Sequence, residues 1–390
     1  MESKDTRRQR SCRLLAFTFF ALLFFCGMTE VEAQDSQKAP AALLAKAKKA
    51  GSIRVIVKLN TSFQPEGQLS GPTAVAGQKA RIASLQTRLQ QEVSKRNVRG
   101  IKKFKHIPYT AMAVDPDALD ALTANPLVVS IEEDKLVPAT LTESVPLIKA
   151  NQSWNLGYTG SGWTVAILDS GVDKTHSFFP AGKVVAEACF STTDAVEHAE
   201  TVCPNGLASQ TGDGAGIQCG GANGTDVVGC QHGTHVAGIA AGKSATINGV
   251  AKDANVIAIQ VFSKITDAAS CSSGGLASPC ALSYTSDQIL ALEHVYSLRN
   301  THNIAAVNIS IGSGQYFSAC DSSESSTKAV IDNLRSVGIA TVISSGNESY
   351  KNSMGAPACI STAVSVGATT KADAEADYSN YHPTMLSLFA

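Results

Sequence analysis

The second half of the chain contains short, almost continuously apolar segments that alternate with segments of helical periodicity. The apolar segments span residues 164–168, 255–262, 304–311, 339–344 and 363–367, and the helical patterns span residues 233–242, 284–299 and 325–337. Apolar strands joined by helices are typical of a parallel sheet that is covered on both faces. This half therefore predicts an α/β domain, with its functional side chains at the carboxyl ends of the strands.

A smaller α+β pattern occupies residues 53–135. Residues 53–59 alternate apolar and polar side chains, residues 82–93 carry an apolar helical stripe, and Asp115 can begin a second helix. Further strands are expected at 107–114 and 128–131, with room for another near 101–104. This order predicts a ferredoxin-like sandwich. We expect residues 34–50 to be a loose lead-in and residues 136–150 to be a linker.

Residues 1–33 have the features of a targeting segment. A basic stretch with four arginines precedes the short apolar run 14–25, and the small-x-small signal Val31-Glu32-Ala33 follows it. A membrane anchor is the alternative, but the short run and the cleavage signal favour a signal peptide that is cut after Ala33. No later segment is apolar enough to cross a bilayer. The chain is therefore predicted to be secreted, to an extracellular or periplasmic location, without a membrane partner after signal removal.

Eight of the ten cysteines remain after removal of the signal, and all of them lie beyond residue 188. An even number of cysteines in an exported chain indicates disulfide bonds. Cys271 and Cys280 could close one small loop. The sequence leaves the other pairings open.

Charge is distributed unevenly along an otherwise ordinary composition with 17% charged residues. Residues 34–140 contain 16 Lys and Arg against 9 Asp and Glu, a net charge of +7. Residues 141–390 contain 11 against 20, a net charge of −9. The two parts should attract each other. No nucleic-acid-binding motif accompanies the basic part, so a nucleic-acid partner is not predicted.

Two motifs suggest acid–base chemistry. Asp169 directly follows the apolar strand 164–168, where a carboxylate can orient a histidine, although a turn Asp is the simpler interpretation. His232 begins a helical pattern and could act as a general base. His235, three residues later, is expected to point toward packing. A metal site is the alternative, but no Glu follows His232 to make a zinc motif, and the nearby Cys219 and Cys230 favour a disulfide in an exported chain.

Two further strand ends carry candidate binding groups. Asn347 follows the strand near 339–344, where an amide could stabilise an oxyanion, although Gly-Asn is also a common turn pair. The segment Ser310, Ile311 and Gly312 closes another strand, and a glycine there would let a substrate backbone approach as an added strand. A simple exit from the strand is the alternative.

The order of these four motifs resembles that of the subtilisin-like serine proteases. The motifs are Asp169-Ser170-Gly171-Val172-Asp173, His232-Gly233-Thr234-His235-Val236-Ala237-Gly238, Ser310-Ile311-Gly312 and Ser345-Gly346-Asn347. The resemblance runs from about residue 154 to residue 390, and residues 53–135 resemble the inhibitory propeptide of the same family.

The resemblance implies a secreted serine endopeptidase precursor that hydrolyses polypeptide substrates by Ser-His-Asp acyl transfer. Asp169 would orient His232, His232 would be general base and then general acid, and Asn347 would supply the oxyanion amide. Ser310, Ile311 and Gly312 would line the primary pocket, with residues 280–284 as the opposite wall. The implied organisation is a signal peptide at 1–33, a propeptide at 34–140 that inhibits and assists folding, and a peptidase domain at 141–390.

The chain departs from the family in two respects. No Gly-Thr-Ser-Met-Ala-type motif is present, so we expect a C-terminal truncation before the catalytic serine and a chain that is inactive as given. An inactive homologue that only binds peptides, and a His-based metalloenzyme, are the rival hypotheses. No cofactor is predicted, and calcium stays an open alternative without a readable ligand set. Residues 176–179 lack the acid of the family's calcium site, and residues 243–250 form a short loop. The expanded segment between Asp169 and His232 holds four cysteines, whose disulfides could replace a calcium ion.

Overall fold

The structure is a computed structural model, and it describes residues 38–137, 148–220, 226–245, 247–370 and 372–390. The predicted signal peptide lies outside these residues, as does most of the predicted linker. The described residues form a single compact unit. None of the described helices is long and apolar enough to cross a membrane.

A four-stranded antiparallel sheet with helices forms the N-terminal part. Its elements are α1 (Ala41–Ala50), β1 (Ile53–Leu59), a 3₁₀ turn (Glu66–Gln68), α2 (Pro72–Val93), β2 (Val98–Lys103), β3 (Tyr109–Val114), α3 (Pro116–Ala124) and β4 (Val128–Glu133). The strand order is β2-β3-β1-β4. The order β-α-β-β-α-β is that of a ferredoxin-like sandwich, and β2 is the additional strand for which the sequence left room near 101–104.

The expectation of a loose lead-in at residues 34–50 was wrong for its second half. Residues 41–50 form α1, which ends at Gly51 with a φ of 74°, a conformation that glycine adopts without steric cost. Leu43 and Ala47 are buried in the cluster that also holds Leu119 and Leu122 of α3. Packing against α3 therefore stabilises a helix that is too short to be stable alone.

The remaining elements form the larger part of the molecule. They are β5 (Leu136–Val137), α4 (Ala150–Asn155), β6 (Thr164–Asp169), β7 (Val184–Phe190), β8 (Ala199–Thr201), β9 (Ser209–Thr211), α5 (His232–Ala241), β10 (Asn255–Gln260), β11 (Phe262–Ile265), α6 (Ala268–Ser273), β12 (Cys280–Tyr284), α7 (Thr285–Leu298), β13 (Ile304–Ile309), β14 (Ser313–Tyr316), α8 (Ser325–Ser336), β15 (Ala340–Ser344), β16 (Met354–Ala356), β17 (Val364–Gly367) and β18 (Leu388–Phe389).

Eight of these strands form the central sheet, in the order β18-β17-β15-β13-β6-β10-β7-β9. All neighbouring pairs are parallel except β7 and β9. Helices α7 and α8 pack in the core cluster on one face, and α5 packs with β6 and β10 in the cluster on the other. The predicted α/β domain with a parallel sheet is confirmed.

A second sheet of order β5-β12-β11-β8 lies beside the central one. The segment 255–262, predicted as one strand, is divided between the two sheets because β10 ends at Gln260 and β11 begins at Phe262. Strand β5 contributes the edge of this sheet and pairs with β12 in the antiparallel sense.

The N-terminal sheet packs on the larger part through one of its faces. Ile56, Phe104, Ile107 and Tyr109 belong to the same core cluster as the apolar residues of α7 and α8. The opposite face of that sheet is covered by α1, α2 and α3 in a separate cluster. The two parts therefore share a continuous apolar interface.

All eight described cysteines are paired. The bonds are Cys189–Cys203, Cys219–Cys230, Cys271–Cys280 and Cys320–Cys359. The pairing that the sequence singled out is present, and the other three were left open. Two of the four bonds lie in the expanded segment between Asp169 and His232.

Candidate active site

Asp169 is the last residue of β6, near the middle of the central sheet. Its carboxylate is fully buried beneath the carboxyl edge of the sheet. The preceding strand is apolar because both of its faces are covered, and it therefore delivers this one acidic side chain at a fixed height.

His232 is the first residue of α5. Its imidazole Nδ1 lies 2.7 Å from Asp169 Oδ1. A carboxylate accepts hydrogen bonds, so Nδ1–H is the donor and the ring tautomer is set by this contact. The His232 side chain is largely buried, at 15% exposure. The structure thus brings together two side chains that are 63 residues apart in the sequence.

Ser170 links the two motifs, and the sequence interpretation missed it. Its N–H donates to Asp169 Oδ1 at 2.7 Å. Its hydroxyl donates to the Cys230 carbonyl at 2.9 Å and accepts from the Gly233 N–H at 2.9 Å. A serine after an Asp carries no signal of its own in the sequence, because its partners lie about 60 residues away.

Asn347 lies in the exposed turn that follows β15. The buried side chain of Asn380 organises this turn. Its Oδ1 accepts from the N–H groups of Glu348 and Tyr350, each at 3.0 Å, and its Nδ2 donates to the Ser345 carbonyl at 3.1 Å. Asn380 was not recognised from the sequence, since nothing in its surroundings distinguishes it from an ordinary turn residue.

Ser310, Ile311 and Gly312 follow β13, which neighbours β6 in the sheet. They therefore leave the same edge of the sheet as Asp169 does. A Cβ on Gly312 would lie 3.1 Å from the Ala356 carbonyl oxygen, so this glycine allows a close approach of the chain's own backbone. Ser310 Oγ accepts from Asn308 Nδ2 at 3.0 Å.

Strand β12, predicted as the opposite wall, is a paired strand rather than a free edge. Ser283 pairs with Val137 and Tyr284 pairs with Leu136. Strand β5, which directly follows the N-terminal part in the chain, therefore occupies the backbone positions where a peptide could add as a strand.

His235 does not point toward packing, and that expectation was wrong. It is exposed and lines a cavity of about 560 Å³ together with Asp173, His176 and Phe178. Within the described ranges, no group of three or more His, Cys, Asp and Glu side chains is arranged to hold a metal ion. Cys219 and Cys230, the other candidates near His232, are bonded to each other.

Ion pairs join the N-terminal part to the larger part. Lys102 of β2 contacts the Asp287 carboxylate in α7, and Lys135 lies 2.7 Å from Glu324 Oε1. Asp134 accepts hydrogen bonds from the N–H and the hydroxyl of Ser286 in the first turn of α7. Burial raises the pKa of the Asp287 carboxyl and lowers the pKa of the Lys102 ammonium group. Each charge in this pair therefore depends on its partner.

Comparison with known proteins agrees with this arrangement. A model of the subtilase family matches residues 160–389. Subtilisin J from Geobacillus stearothermophilus and subtilisin E from Bacillus subtilis are each 26% identical over 332 residues, which are 82% of this chain and 72% of the relative. M-protease from Shouchella clausii is 29% identical over 287 residues, which are 72% of this chain and 60% of the relative. The chain therefore belongs to the subtilase family, whose members are serine endopeptidases.

Proposed function

We propose that Asp169 and His232 are the acid–base pair of a peptide-bond hydrolase that works by acyl transfer. The observation that carries this proposal is the 2.7 Å contact between His232 Nδ1 and Asp169 Oδ1 at the carboxyl edge of the parallel sheet. The buried carboxylate orients the imidazole and stabilises the imidazolium that forms when His232 takes a proton. His232 then returns this proton to the leaving amine.

The other candidate residues take binding roles in this proposal. Asn347 lies in an exposed turn that Asn380 holds, so its side-chain amide can donate to a developing oxyanion. Ser310, Ile311 and Gly312 line the primary pocket and pair with the substrate backbone, and residues 280–284 form the opposite wall. Polypeptides are the substrates of the family, and no nucleic acid or membrane partner is proposed.

The nucleophilic serine is proposed not to be among residues 1–390. The serines nearest to the site motifs have other hydrogen bonds: Ser170 Oγ joins Cys230 and Gly233, and Ser345 Oγ donates to the Asn380 carbonyl at 2.8 Å. An organofluorophosphonate probe should therefore leave the 390-residue chain unlabelled. A labelled serine that mass spectrometry maps within residues 1–390 would overturn this part.

The reading frame beyond the codon for Ala390 separates an endopeptidase from a homologue that only binds peptides. An in-frame Gly-Thr-Ser helix start supports the endopeptidase, and a stop codon supports the peptide-binding homologue. In a product that carries this serine, we expect His232→Ala to abolish labelling by the probe and to lower kcat by about 10⁶. Retained activity in that variant contradicts the role assigned to His232.

The second part of the proposal concerns residues 34–140, which we propose to be an inhibitory propeptide that follows a cleaved signal at 1–33. The pairing of β5 with β12 supports it, because this segment blocks the edge where substrate would add. The four disulfides fit an exported protein. One relative, from Bacillus subtilis, is named minor extracellular protease Vpr and is 30% identical over 242 residues, which are 62% of this chain and 24% of the relative.

A single cut in the segment 138–147, at an inserted site for a specific endoprotease, tests this arrangement. The two pieces should stay together on size-exclusion chromatography. Their dissociation constant should rise with ionic strength, because salt screens the long-range attraction between the net charges of +7 and −9. Immediate separation of the pieces contradicts the inhibitory role. A dissociation constant that is independent of salt contradicts only its electrostatic component.

A further inference from the structure

Ser170 uses every hydrogen-bonding group it has. Besides the three contacts described above, its carbonyl accepts from the Cys219 N–H at 2.9 Å. Ser170 is fully buried, so none of these bonds is shared with bulk water. One residue therefore binds the Asp169 carboxylate, both ends of the Cys219–Cys230 disulfide and the first turn of α5.

The Cys219–Cys230 disulfide is a second link between the end of β6 and the start of α5. Cys230 precedes His232 by two residues, and Cys219 is held on the Ser170 carbonyl. The segment that leads into α5 is thus bonded covalently to Cys219, and Cys219 is hydrogen-bonded to the Ser170 carbonyl at the end of β6. Helix α5 has no side-chain cap of its own, and the Ser170 hydroxyl supplies the acceptor for the Gly233 N–H.

We propose that Ser170, Cys219 and Cys230 form a clamp that positions His232 on Asp169. The inference rests on the proposed acid–base role of these two residues. None of the three clamp residues takes part in proton transfer. They act by fixing the distance between the end of β6 and the start of α5, and the Nδ1–H to Oδ1 hydrogen bond depends on that distance.

The clamp differs from a general contribution to stability in a measurable way. In the chain-entropy description, a disulfide that closes a longer loop stabilises the fold more. Cys320–Cys359 has a sequence separation of 39, against 11 for Cys219–Cys230. A merely structural role would therefore make the loss of Cys320–Cys359 the more damaging of the two for every property. If the three residues form a clamp, loss of Cys219–Cys230 should affect solvent exchange of the His232 Nδ1–H more than loss of Cys320–Cys359 does.

The test follows the His232 Nδ1–H by proton NMR in the full chain labelled with ¹⁵N-histidine. In Ser170→Ala and in the double variant Cys219→Ala/Cys230→Ala, exchange of this proton with solvent should be about tenfold faster, the equivalent of one hydrogen bond. The matched controls are Ser263→Ala, which removes another fully buried serine hydroxyl that accepts from Thr192 N–H at 2.8 Å, and Cys320→Ala/Cys359→Ala. Both controls should leave the exchange rate of the His232 proton unchanged.

The variant Asp169→Asn distinguishes a failure of the proposed acid–base pair from a failure of the clamp alone. It should remove the protected Nδ1–H signal, and a signal that persists contradicts the acid–base pair itself. If Asp169→Asn removes the signal while both clamp variants exchange at the wild-type rate, the pair stands and the clamp is wrong. Circular dichroism verifies folding of each variant, and the cysteine variant decides alone if Ser170→Ala does not fold.

Discussion

Two glycines lie where backbone segments of the candidate site approach each other closely. Gly171 has a φ of +90°, and a Cβ there would lie 2.1 Å from the Ile217 carbonyl oxygen. A Cβ on Gly233 would lie 2.3 Å from the Gly171 carbonyl oxygen and 3.0 Å from Asp169 Cβ. Backbone atoms cannot move aside as a flexible side chain can, so both positions require glycine.

Gly233→Ala should therefore destabilise the protein by about 1–3 kcal/mol, the usual cost of overpacking. The sign is the informative part, because Gly→Ala inside a helix ordinarily stabilises by up to about 1 kcal/mol. Gly77→Ala in α2 is the matched control: its Cβ would come no closer than 3.7 Å to Arg81 Nη1, so it should stabilise. Urea denaturation of both variants measures the two effects. A stabilised Gly233→Ala contradicts the close approach of the two motifs.

At the scale of elements, strand β4 delivers a carboxylate to the start of α8. Glu132 accepts from the Ser326 hydroxyl and, at 3.4 Å, from the Ser326 N–H. Burial raises the pKa of Glu132 to about 8, against the hydrogen bonds from Ser326, which lower it. The carboxyl is therefore protonated in the folded protein at pH values where it is ionised in the unfolded chain.

Glu132→Gln should flatten part of the pH dependence of stability. Between pH values of about 4.5 and 8, the folded state keeps a proton that the unfolded state has lost. The contribution of Glu132 to the free energy of unfolding therefore falls by about 1.4 kcal/mol per pH unit across this window, and it is constant outside the window. Glutamine cannot ionise and has nearly the same shape. The difference in unfolding free energy between variant and wild type should grow in favour of the variant across this window. Parallel pH profiles would show that Glu132 is ionised in the folded state.

Sequence periodicity predicts those helices and strands in which the element's own residues determine which side chains are buried. Strands β6, β13 and β15 are mostly apolar, and apolar residues recur along α5, α7 and α8. Helix α1 was not predicted, because its Ala- and Lys-rich sequence was interpreted as a loose segment and its burial depends on packing against α3. The break between β10 and β11 was not predicted, because apolar residues continue across Val261. The Gln260 amide turns the chain there by bonding to the backbone of Phe262.

Some residues of the candidate site were likewise predictable from the sequence, and others were not. Asp169 and His232 were predictable because each stands at the end of a recognisable element, and the shared sheet edge then implies their proximity. Ser170 and Asn380 were not predictable, since the hydrogen-bond partners of each come close only in the folded chain. His235 was misjudged because the helical pattern alone does not show which face of α5 the neighbouring loops leave uncovered.

At the scale of the whole molecule, the opposite charges of the two parts converge on a few buried contacts. The Lys102 side chain is 10% exposed and the Asp287 side chain is fully buried. Asp287 also accepts from Thr192 Oγ1 at 2.8 Å. Such a pair is weakly screened by salt, and removing one partner leaves a buried charge without its ion-pair partner.

A double-mutant cycle on Lys102 and Asp287 should therefore show strong coupling between the two parts. Lys102→Met alone should cost about 3–5 kcal/mol, because Asp287 remains buried without its cation. Adding Asp287→Asn should recover part of that loss, since the amide keeps the contact with Thr192 and carries no charge. The coupling energy from denaturant unfolding should exceed about 2 kcal/mol. The exposed pair Lys264–Glu200, 2.9 Å apart, is the control and should couple by less than about 1 kcal/mol. Equal coupling in the two cycles would mean that the parts are held together by apolar packing, and that the charge asymmetry does not contribute to their association.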